Sequence, residues 1–271
     1  ENAGSGAAGR WVGVGVASYG ELTGIGSAIT VSPGMPVPTG TEAATIRVDP
    51  AGTVTAVFGI ASHGQGLETT LAQVVADELG VPIETVRVLH GDTALSPYGT
   101  GTYASRSTVL AGGAGILAGR DVREKTLRIA AHLLEAHPAD LVVQDGRVAV
   151  RGLPDRYVTV RDVAKAAYGG VRHLPRSLEP GLEATRFYDP YYGTASNATH
   201  MAVVEVDRET FHVRILRYLV VEDCGRMINP LVVDGQVHGG VAQGVGAALL
   251  EEIVYDGEGQ LLTGTLMDYL V

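Results

Sequence analysis

A short glycine-rich segment carries the first side chain that could do chemistry. Gln65 lies between Gly64 and Gly66, where a predicted strand gives way to a predicted helix. Glycine lets backbone N–H groups approach a ligand closely, and a helix N-terminus favours anions. A glutamine side chain both donates and accepts hydrogen bonds. The pattern therefore favours a ligand site built from neutral groups, although a tight turn with an exposed glutamine would have the same sequence.

A second polar segment, residues 99–108, precedes a long predicted helix and is rich in glycine and hydroxyl side chains. Arg106 stands in it between Ser105 and Ser107. A guanidinium presents a planar fork of donors that matches phosphate oxygens, and hydroxyls and backbone N–H groups can complete such a site. The segment therefore predicts an anion site at the start of the helix.

Two other interpretations of this second segment stay open. It is also consistent with a polar loop in which Ser107 or Thr108 caps the helix. Because the chain has 30 acidic and 20 basic side chains, Arg106 could instead form an intramolecular ion pair, with Asp92 or Glu124 as its partner. Such an ion pair would make the arginine a structural residue rather than a ligand-binding one.

The last third of the chain repeats the combination of glycine and glutamine. Gln236 follows Gly235, and Gln243 comes seven residues later, which is about two helical turns. If a helix begins by residue 236, both amides lie on one face of it. Paired amides suit the donor and acceptor edges of a heterocycle, but two polar surface positions would look the same. Cys224, taken alone, predicts a buried structural cysteine.

The composition argues against several classes of function. The net charge of −10 argues against sequence-independent nucleic-acid binding and against an anionic membrane surface as partner. No apolar run in the 271 residues is long enough for a transmembrane helix. The single cysteine excludes an intrachain disulfide and a zinc site of several cysteines, and it favours a cytoplasmic location. The eight histidines show no metal-ligand spacing.

The elements that must position these segments follow a repeated pattern. A hairpin is predicted for residues 44–58 and a helix for residues 67–79, with the first glutamine segment between them. A second hairpin over residues 201–216 again leads to a glutamine segment and a helix. We interpret the chain as two related α+β subdomains, residues 1–160 and 161–271.

The region between the two repeats is predicted from local patterns. Residues 109–136 form one long predicted helix, and a relaxed dinucleotide fingerprint at residues 113–118 falls inside it, which is the wrong context for a nucleotide site. A further hairpin is predicted for residues 141–150 and a short helix for residues 161–168. Residues 169–197, which contain three prolines, are predicted to be irregular.

Four ordered segments resemble the molybdenum hydroxylases, the family of xanthine dehydrogenase, aldehyde oxidase and aerobic carbon monoxide dehydrogenase. Residues 63–76 resemble the glutamine loop of that family. Residues 91–93 with 99–108 are similar to its next cofactor loop and come closest to the carbon monoxide dehydrogenase branch. Residues 222–230 and 235–244 resemble its third and fourth segments. The resemblance implies the second molybdopterin-binding domain of the large subunit, with an α+β fold of two related subdomains.

The resemblance also implies a cofactor, a molybdopterin dinucleotide with molybdenum, in bacteria usually in its cytosine form. By the family pattern, Gln65 with its neighbours Gly64 and Gly66 lies near the molybdenum ligands and the pterin. A second group would hold the pterin or the phosphates: Ala104, Ser105, Arg106 and Ser107. A third would contact the pterin or the dinucleotide end: Cys224, Asn229, Gln236 and Gln243. The family's molybdenum is held by sulfurs of the pterin, so no metal-ligating side chain is implied.

The resemblance finally implies a reaction and partners. The complete enzyme would oxidise a small-molecule substrate with oxygen from water, in a heterohexamer with a small iron–sulfur subunit and a medium FAD subunit. The family's catalytic glutamate follows a Gly-Val-Gly run beyond the fourth segment, whereas Gly246 is here followed by Ala247. The chain alone is therefore expected to be inactive, a fragment or a half completed elsewhere. The alternative function is a non-catalytic paralogue that keeps the fold as an interaction or assembly module.

Overall fold

A computed structural model describes residues 9–29 and 40–270 of the chain. In chain order the strands and α-helices are β1 (Arg10–Thr23), β2 (Glu42–Val48), β3 (Val54–Phe58), α1 (Leu67–Leu79), β4 (Val86–Leu89), α2 (Ser107–Leu134), β5 (Leu141–Gln144), β6 (Arg147–Val150), β7 (Leu153–Thr159), α3 (Val160–Tyr168), β8 (Glu183–Tyr188), β9 (Thr194–Asp207), β10 (Val213–Asp223) and α4 (Pro230–Leu249). The fold is α+β, as predicted, and it divides into two compact units. The larger unit comprises residues 22–195, and the smaller combines the chain up to residue 21 with residues 196 onward.

The larger unit is built on a four-stranded sheet in the order β4-β3-β2-β8. Strands β2 and β3 form the predicted hairpin, with Ala44 opposite Phe58 and Val48 opposite Val54. Strand β4 pairs parallel to β3, and β8 pairs antiparallel to β2. Ile46, Val54 and Phe58 are buried because their side chains belong to the core of this unit.

Two helices pack against this sheet and against each other. The first, α1, has the predicted bounds and buries an apolar face that includes Leu71, Val75 and Leu79. It ends at Gly80, whose φ of 68° is a left-handed conformation that glycine adopts at little cost. The second, α2, runs for 28 residues, and its bounds are close to the predicted 109–136.

Glycines let α2 lie close to the sheet. A Cβ atom added at Gly113 would collide with the ring of Tyr188, and one added at Gly115 would lie 3.2 Å from Cε1 of Phe58. Both glycines belong to the dinucleotide-like fingerprint, which lies inside the helix as the sequence predicts. The fingerprint therefore serves helix packing in this fold.

A three-stranded sheet, β5-β6-β7, and helix α3 complete the larger unit. Strands β5 and β6 form the predicted hairpin, with Leu141 opposite Val150. Helix α3 begins at a capping box in which Thr159 and Asp162 exchange hydrogen bonds. Strand β7 was not predicted from the sequence.

The prediction that residues 169–197 are irregular is wrong in part. Strand β8 lies within this stretch and forms one edge of the four-stranded sheet. Strand β9 begins at Thr194, near the end of the stretch. Pro180 and Pro190 lie on either side of β8 rather than inside it, so they remove no hydrogen bond from the sheet.

The smaller unit contains a three-stranded sheet in the order β1-β9-β10 and helix α4. Strands β9 and β10 form the predicted second hairpin, in which Val213 lies opposite Val206. A hairpin followed by a helix is therefore present in each unit, as predicted. The second glutamine segment, however, lies inside α4, which begins at Pro230, whereas the first precedes α1. None of the described helices combines the length and the apolar character that crossing a membrane requires.

The boundaries of the two units differ from the predicted division at 160/161. Strand β8 pairs with β2, and α3 contacts α2, so residues 161–195 belong with the larger unit. Strand β1, at the other end of the chain, joins the sheet of β9 and β10. The pairing partners lie far apart in the sequence, and a local pattern does not reveal them.

Candidate functional site

The first glutamine segment forms the loop between β3 and α1, as predicted. Gly64 and Gly66 have positive φ values of 98° and 70°, and Gly66 is the residue that precedes the helix. The Oε1 atom of Gln65 accepts a hydrogen bond from the backbone N–H of His63 at 2.5 Å. A Cβ atom at Gly64 would meet nothing within 4 Å, so the loop has open backbone that a ligand can approach.

A carboxylate that the sequence did not single out stabilises this loop. Glu68, in the first turn of α1, accepts a hydrogen bond from Ser62 Oγ at 3.1 Å and lies 3.0 Å from Nε2 of His90. The hydrogen bond from backbone N–H, followed by the one to His90, lowers the pKa of the Glu68 carboxyl. Glu68 thus connects the glutamine loop to the residue that follows β4.

The lowered pKa of Glu68 predicts how stability depends on pH. A folded-state pKa below the ordinary 4.5 gives a stabilising contribution that is complete above pH 4.5 and is lost as the pH falls through the folded-state value. We expect the free energy of unfolding of Glu68→Gln to fall less steeply in acid than that of the wild type. Urea titrations across about pH 3 to 7 measure this. Glu183→Gln, at an exposed position of β8, is the control, and equal acid slopes for all three proteins would contradict the prediction.

The second predicted segment forms the loop that leads into α2. Ala104 and Ser105 have positive φ values of 47° and 51°, and both are exposed. Non-glycine residues adopt such conformations at an energetic cost, and they are concentrated at functional sites. Gly101 also has a positive φ, of 94°, and open space around its Cα. This loop therefore turns its strained backbone, rather than a charged side chain, toward solvent.

The guanidinium of Arg106 is buried beneath the loop, with 2% of the residue exposed. Its Nη1 donates to Oε2 of Glu42 at 2.6 Å, and its Nη2 donates to the carbonyl oxygen of Thr41 at 2.8 Å. The structure therefore contains an intramolecular ion pair at Arg106, as the alternative interpretation predicted. The partner is Glu42, however, and neither Asp92 nor Glu124. The assignment of Arg106 to the phosphates of a cofactor stays a prediction, which the burial does not favour.

The expectation that Ser107 or Thr108 caps α2 is wrong. The residue before the helix is Arg106, and its side chain makes no capping hydrogen bond. Ser107 instead donates from Oγ to Oγ1 of Thr102 at 2.9 Å, and the same Thr102 oxygen accepts from the backbone N–H of Ala61 at 3.2 Å. The hydroxyl groups therefore connect the two loops to each other.

Glycines bring the two loops into direct contact. A Cβ atom added at Gly59, in the first loop, would collide with Glu42 Oε1 and lie 2.8 Å from the Cα atom of Gly99, in the second. One added at Gly99 would collide with the same Glu42 oxygen. The first two predicted segments thus form one surface of the larger unit. Glu42 at its base was missed, because a lone acid at the start of a strand has no distinguishing sequence pattern.

The remaining predicted residues lie in the smaller unit. Gln236 and Gln243 both belong to α4, so the seven-residue spacing places them on one face of the helix, as predicted. Both are exposed, and Gly239 and Gly240 between them have open space around their Cα atoms. Asn229 caps this helix: its Oδ1 accepts from the backbone N–H of Val232 at 3.2 Å. An asparagine before a proline is a common helix start, so the sequence contained the signal for this role.

The expectation that Cys224 is buried is wrong. The cysteine is exposed, in the turn between β10 and α4. Gly225 follows it with a positive φ of 73°, and its N–H donates to Oδ1 of Asp223 at 2.9 Å. A turn of this kind has no core to enter, so the thiol lies at the surface.

The chemistry of these residues fits an organic ligand with hydrogen-bonding edges. In the larger unit the accessible groups are the amide of Gln65, the hydroxyl of Ser105 and open glycine backbone. In the smaller unit they are the amides of Gln236 and Gln243 with the open glycines between them. Over residues 9–29 and 40–270, no three His, Cys, Asp or Glu side chains are grouped so that they could hold a metal ion. A pterin, which brings its own metal ligands, fits neutral groups of the kind that each unit exposes.

Fold and site together define a cofactor-binding α+β protein of the molybdenum hydroxylase type. The sequence pattern of the family described as "Molybdopterin cofactor-binding domain" matches residues 1–271. The chain belongs to this family.

Known proteins of this type are similar over most of the chain. The carbon monoxide dehydrogenase large chain of Hydrogenophaga pseudoflava is 42% identical over 83% of this chain and 28% of its own length. The nicotine 6-hydroxylase large subunit of Paenarthrobacter nicotinovorans is 39% identical over 97% of this chain and 32% of its own length. The crystal structure of quinoline 2-oxidoreductase from Pseudomonas putida 86 superposes with a TM-score of 0.86 at 45% identity, over 97% of this chain and 33% of that chain. The chain thus spans about a third of the length of these proteins.

Proposed function

We propose that the chain forms the cofactor-binding part of the large subunit of a molybdenum hydroxylase and that its loops hold a molybdopterin dinucleotide, in the cytosine form. The observation that carries the proposal is the joining of two predicted cofactor loops into one surface. Thr102, in the second loop, accepts a hydrogen bond from the backbone N–H of Ala61, in the first, and the loops meet at Gly59 and Gly99. A surface assembled from two distant parts of the chain with open glycine backbone is suited to a flat, polar ligand.

The exposed groups of this surface would bind different parts of the cofactor. The amide of Gln65 and the open backbone at Gly64 would hydrogen-bond to the pterin. The backbone and hydroxyl of Ser105 and the backbone of Ala104 would hold the pterin or the phosphates. The N-terminus of α2, directly after them, would favour the negative charge of a phosphate. When bound, the cofactor supplies the redox chemistry; the chain binds and orients it.

The smaller unit contributes a second set of contacts in this proposal. Gln236 and Gln243 present two amides on one exposed helix face, and open glycines between them let a planar ring approach the backbone. Cys224 and Asn229, in the turn before this helix, contact the dinucleotide end. Asn229 would do so while its side chain also caps α4.

The complete enzyme, in this proposal, oxidises a small molecule with oxygen from water. The relatives named above include a carbon monoxide dehydrogenase and a nicotine 6-hydroxylase, and the resemblance of residues 99–108 favours the carbon monoxide dehydrogenase-like branch. Electrons leave through an iron–sulfur subunit and an FAD subunit, in a heterohexamer. The single cysteine supports a cytoplasmic location.

Cofactor content of the full-length protein, purified with its natural subunits, tests the proposal. We expect molybdenum in amounts stoichiometric with the chain, measured by inductively coupled plasma mass spectrometry, and a cytidine nucleotide released on acid hydrolysis. Gln65→Leu should lower both quantities, whereas Gln73→Leu, within α1, should leave them unchanged. A protein without molybdenum and pterin, from cells that make the cofactor, would contradict the proposal and indicate a non-catalytic paralogue.

A further inference from the structure

We infer that Glu42 is a positioning residue for the cofactor loop, and that it acts through Arg106. The carboxylate holds the guanidinium, and the guanidinium holds residues 101–106 in the conformation that presents Ala104 and Ser105. This inference rests on the proposed function, because it concerns the loop that would meet the cofactor.

The carboxylate of Glu42 is fixed on a rigid element. Glu42 is the first residue of β2 and is fully buried, with 0% of the residue exposed. Its Oε1 accepts from the backbone N–H of Ala43 at 3.1 Å, and its Oε2 accepts from Nη1 of Arg106 at 2.6 Å. A charge-assisted hydrogen bond between two desolvated groups is among the strongest that a side chain makes. The sheet therefore determines where the guanidinium lies.

The guanidinium in turn closes the loop. The Nη1 of Arg106 also donates to the carbonyl oxygen of Gly101 at 2.5 Å, so the arginine bonds back to the backbone five residues before it. Its Cζ lies 5.1 Å from the centre of the Tyr103 ring. Ala104 and Ser105, the two strained residues, lie within the turn that these contacts close. Conformations of this kind persist only where the surroundings determine them.

The backbones of two glycines pack against the carboxylate of Glu42 and restrict its position. Added Cβ atoms at Gly59 and Gly99 would both collide with its Oε1, so the two glycine backbones enclose that oxygen on two sides. The pair cannot shift without moving both loops. The same carboxylate therefore sets the second loop's conformation and its contact with the glutamine loop.

The competing role for Arg106 is direct contact with a phosphate. To reach an anion at the surface, the guanidinium would break its hydrogen bonds to Glu42, Thr41 and Gly101. It would also leave the Glu42 carboxylate buried without its cation, which is strongly unfavourable. The buried geometry thus assigns the cofactor contact to the exposed residues and the positioning to the pair beneath them.

Two variants of the full-length protein in its natural complex separate positioning from stability. In Glu42→Gln the guanidinium stays buried without a counter-charge, so both the unfolding temperature and the cofactor content should fall. In the double variant Glu42→Gln, Arg106→Met no buried charge remains, so the unfolding temperature should recover while the cofactor content stays low. Because a charge-assisted hydrogen bond is removed in both, cofactor affinity should fall roughly ten- to hundred-fold.

Lys125→Met is the matched control. Lys125 is a buried charged side chain within α2, about five turns beyond Arg106, and its Nζ lies 3.1 Å from Oε1 of Glu179. Its replacement should leave the content of molybdenum and released nucleotide unchanged, whatever happens to the unfolding temperature.

The outcomes distinguish the inference from the proposed function. A wild-type complex without the cofactor would overturn both. A loaded wild type with full cofactor content in Glu42→Gln would overturn the inference alone. Cofactor content that recovers together with the unfolding temperature in the double variant would also overturn it, because Glu42 would then act only on stability.

Discussion

Replacing Arg106 with alanine should lower the free energy of unfolding by about 3–5 kcal/mol, because it leaves the Glu42 carboxylate buried and unpaired. Urea denaturation followed by circular dichroism measures the loss. Arg186→Ala is the control: Arg186 forms an ion pair with Asp121 between β8 and α2, but on the surface, where water solvates the charges that remain. We expect a much smaller loss there.

The comparison of these two arginines tests whether burial decides the cost. Both contact a carboxylate: Arg106, the residue before α2, pairs with Glu42 of β2, and Arg186 of β8 pairs with Asp121 of α2. Equal and small losses for the two variants would contradict the prediction, since they would mean that water reaches Glu42 once the guanidinium is gone.

Two neighbouring glycines of α2 should respond to alanine with opposite signs. At Gly113 the new Cβ atom would collide with the ring of Tyr188, so Gly113→Ala should destabilise the protein by about 1–3 kcal/mol. At Gly112 the new Cβ atom meets nothing within 4 Å, and alanine is the better helix residue. Gly112→Ala should therefore stabilise the protein by about 0.5–1 kcal/mol.

Thermal and urea unfolding of the two single variants measure this difference. The pair controls itself, because the substitution, the helix and the solvent are the same and only the facing neighbour differs. If both variants lose stability to the same extent, the close approach of α2 to β8 is not what requires glycine at position 113.

Elements defined by neighbouring residues could be predicted from the sequence. Helix α1 has a regular apolar face over its 13 residues, and Gly80 follows directly after its last residue, so both signals are local. The hairpin of β2 and β3 is likewise specified by alternation around a short turn. Strand β8 could not be predicted in this way, because it is defined by its partner: Thr185 hydrogen-bonds to Thr45 across 140 positions of sequence.

In the candidate site, too, features specified by neighbouring residues could be predicted, and features specified by distant residues could not. The glutamine loop and the loop before α2 were found because glycine, hydroxyl and amide residues are adjacent in each. The partner of Arg106 was not found, since Glu42 lies 64 positions away and nothing in its neighbourhood marks a buried carboxylate. The exposure of Cys224 was missed for a related reason: residue type gives an average burial, whereas the fold decides each case.

The contact between Gly59 and Gly99 has a consequence for recognition. Because Thr102 of the second loop is hydrogen-bonded to the first loop and the two loops are in contact, their conformational entropy is lost when the protein folds. A ligand then binds to loops that already have their final conformation, so little of its binding free energy is needed to order the polypeptide. Under the proposed function, the affinity for the cofactor would therefore depend on how well it matches a surface whose shape is fixed by folding.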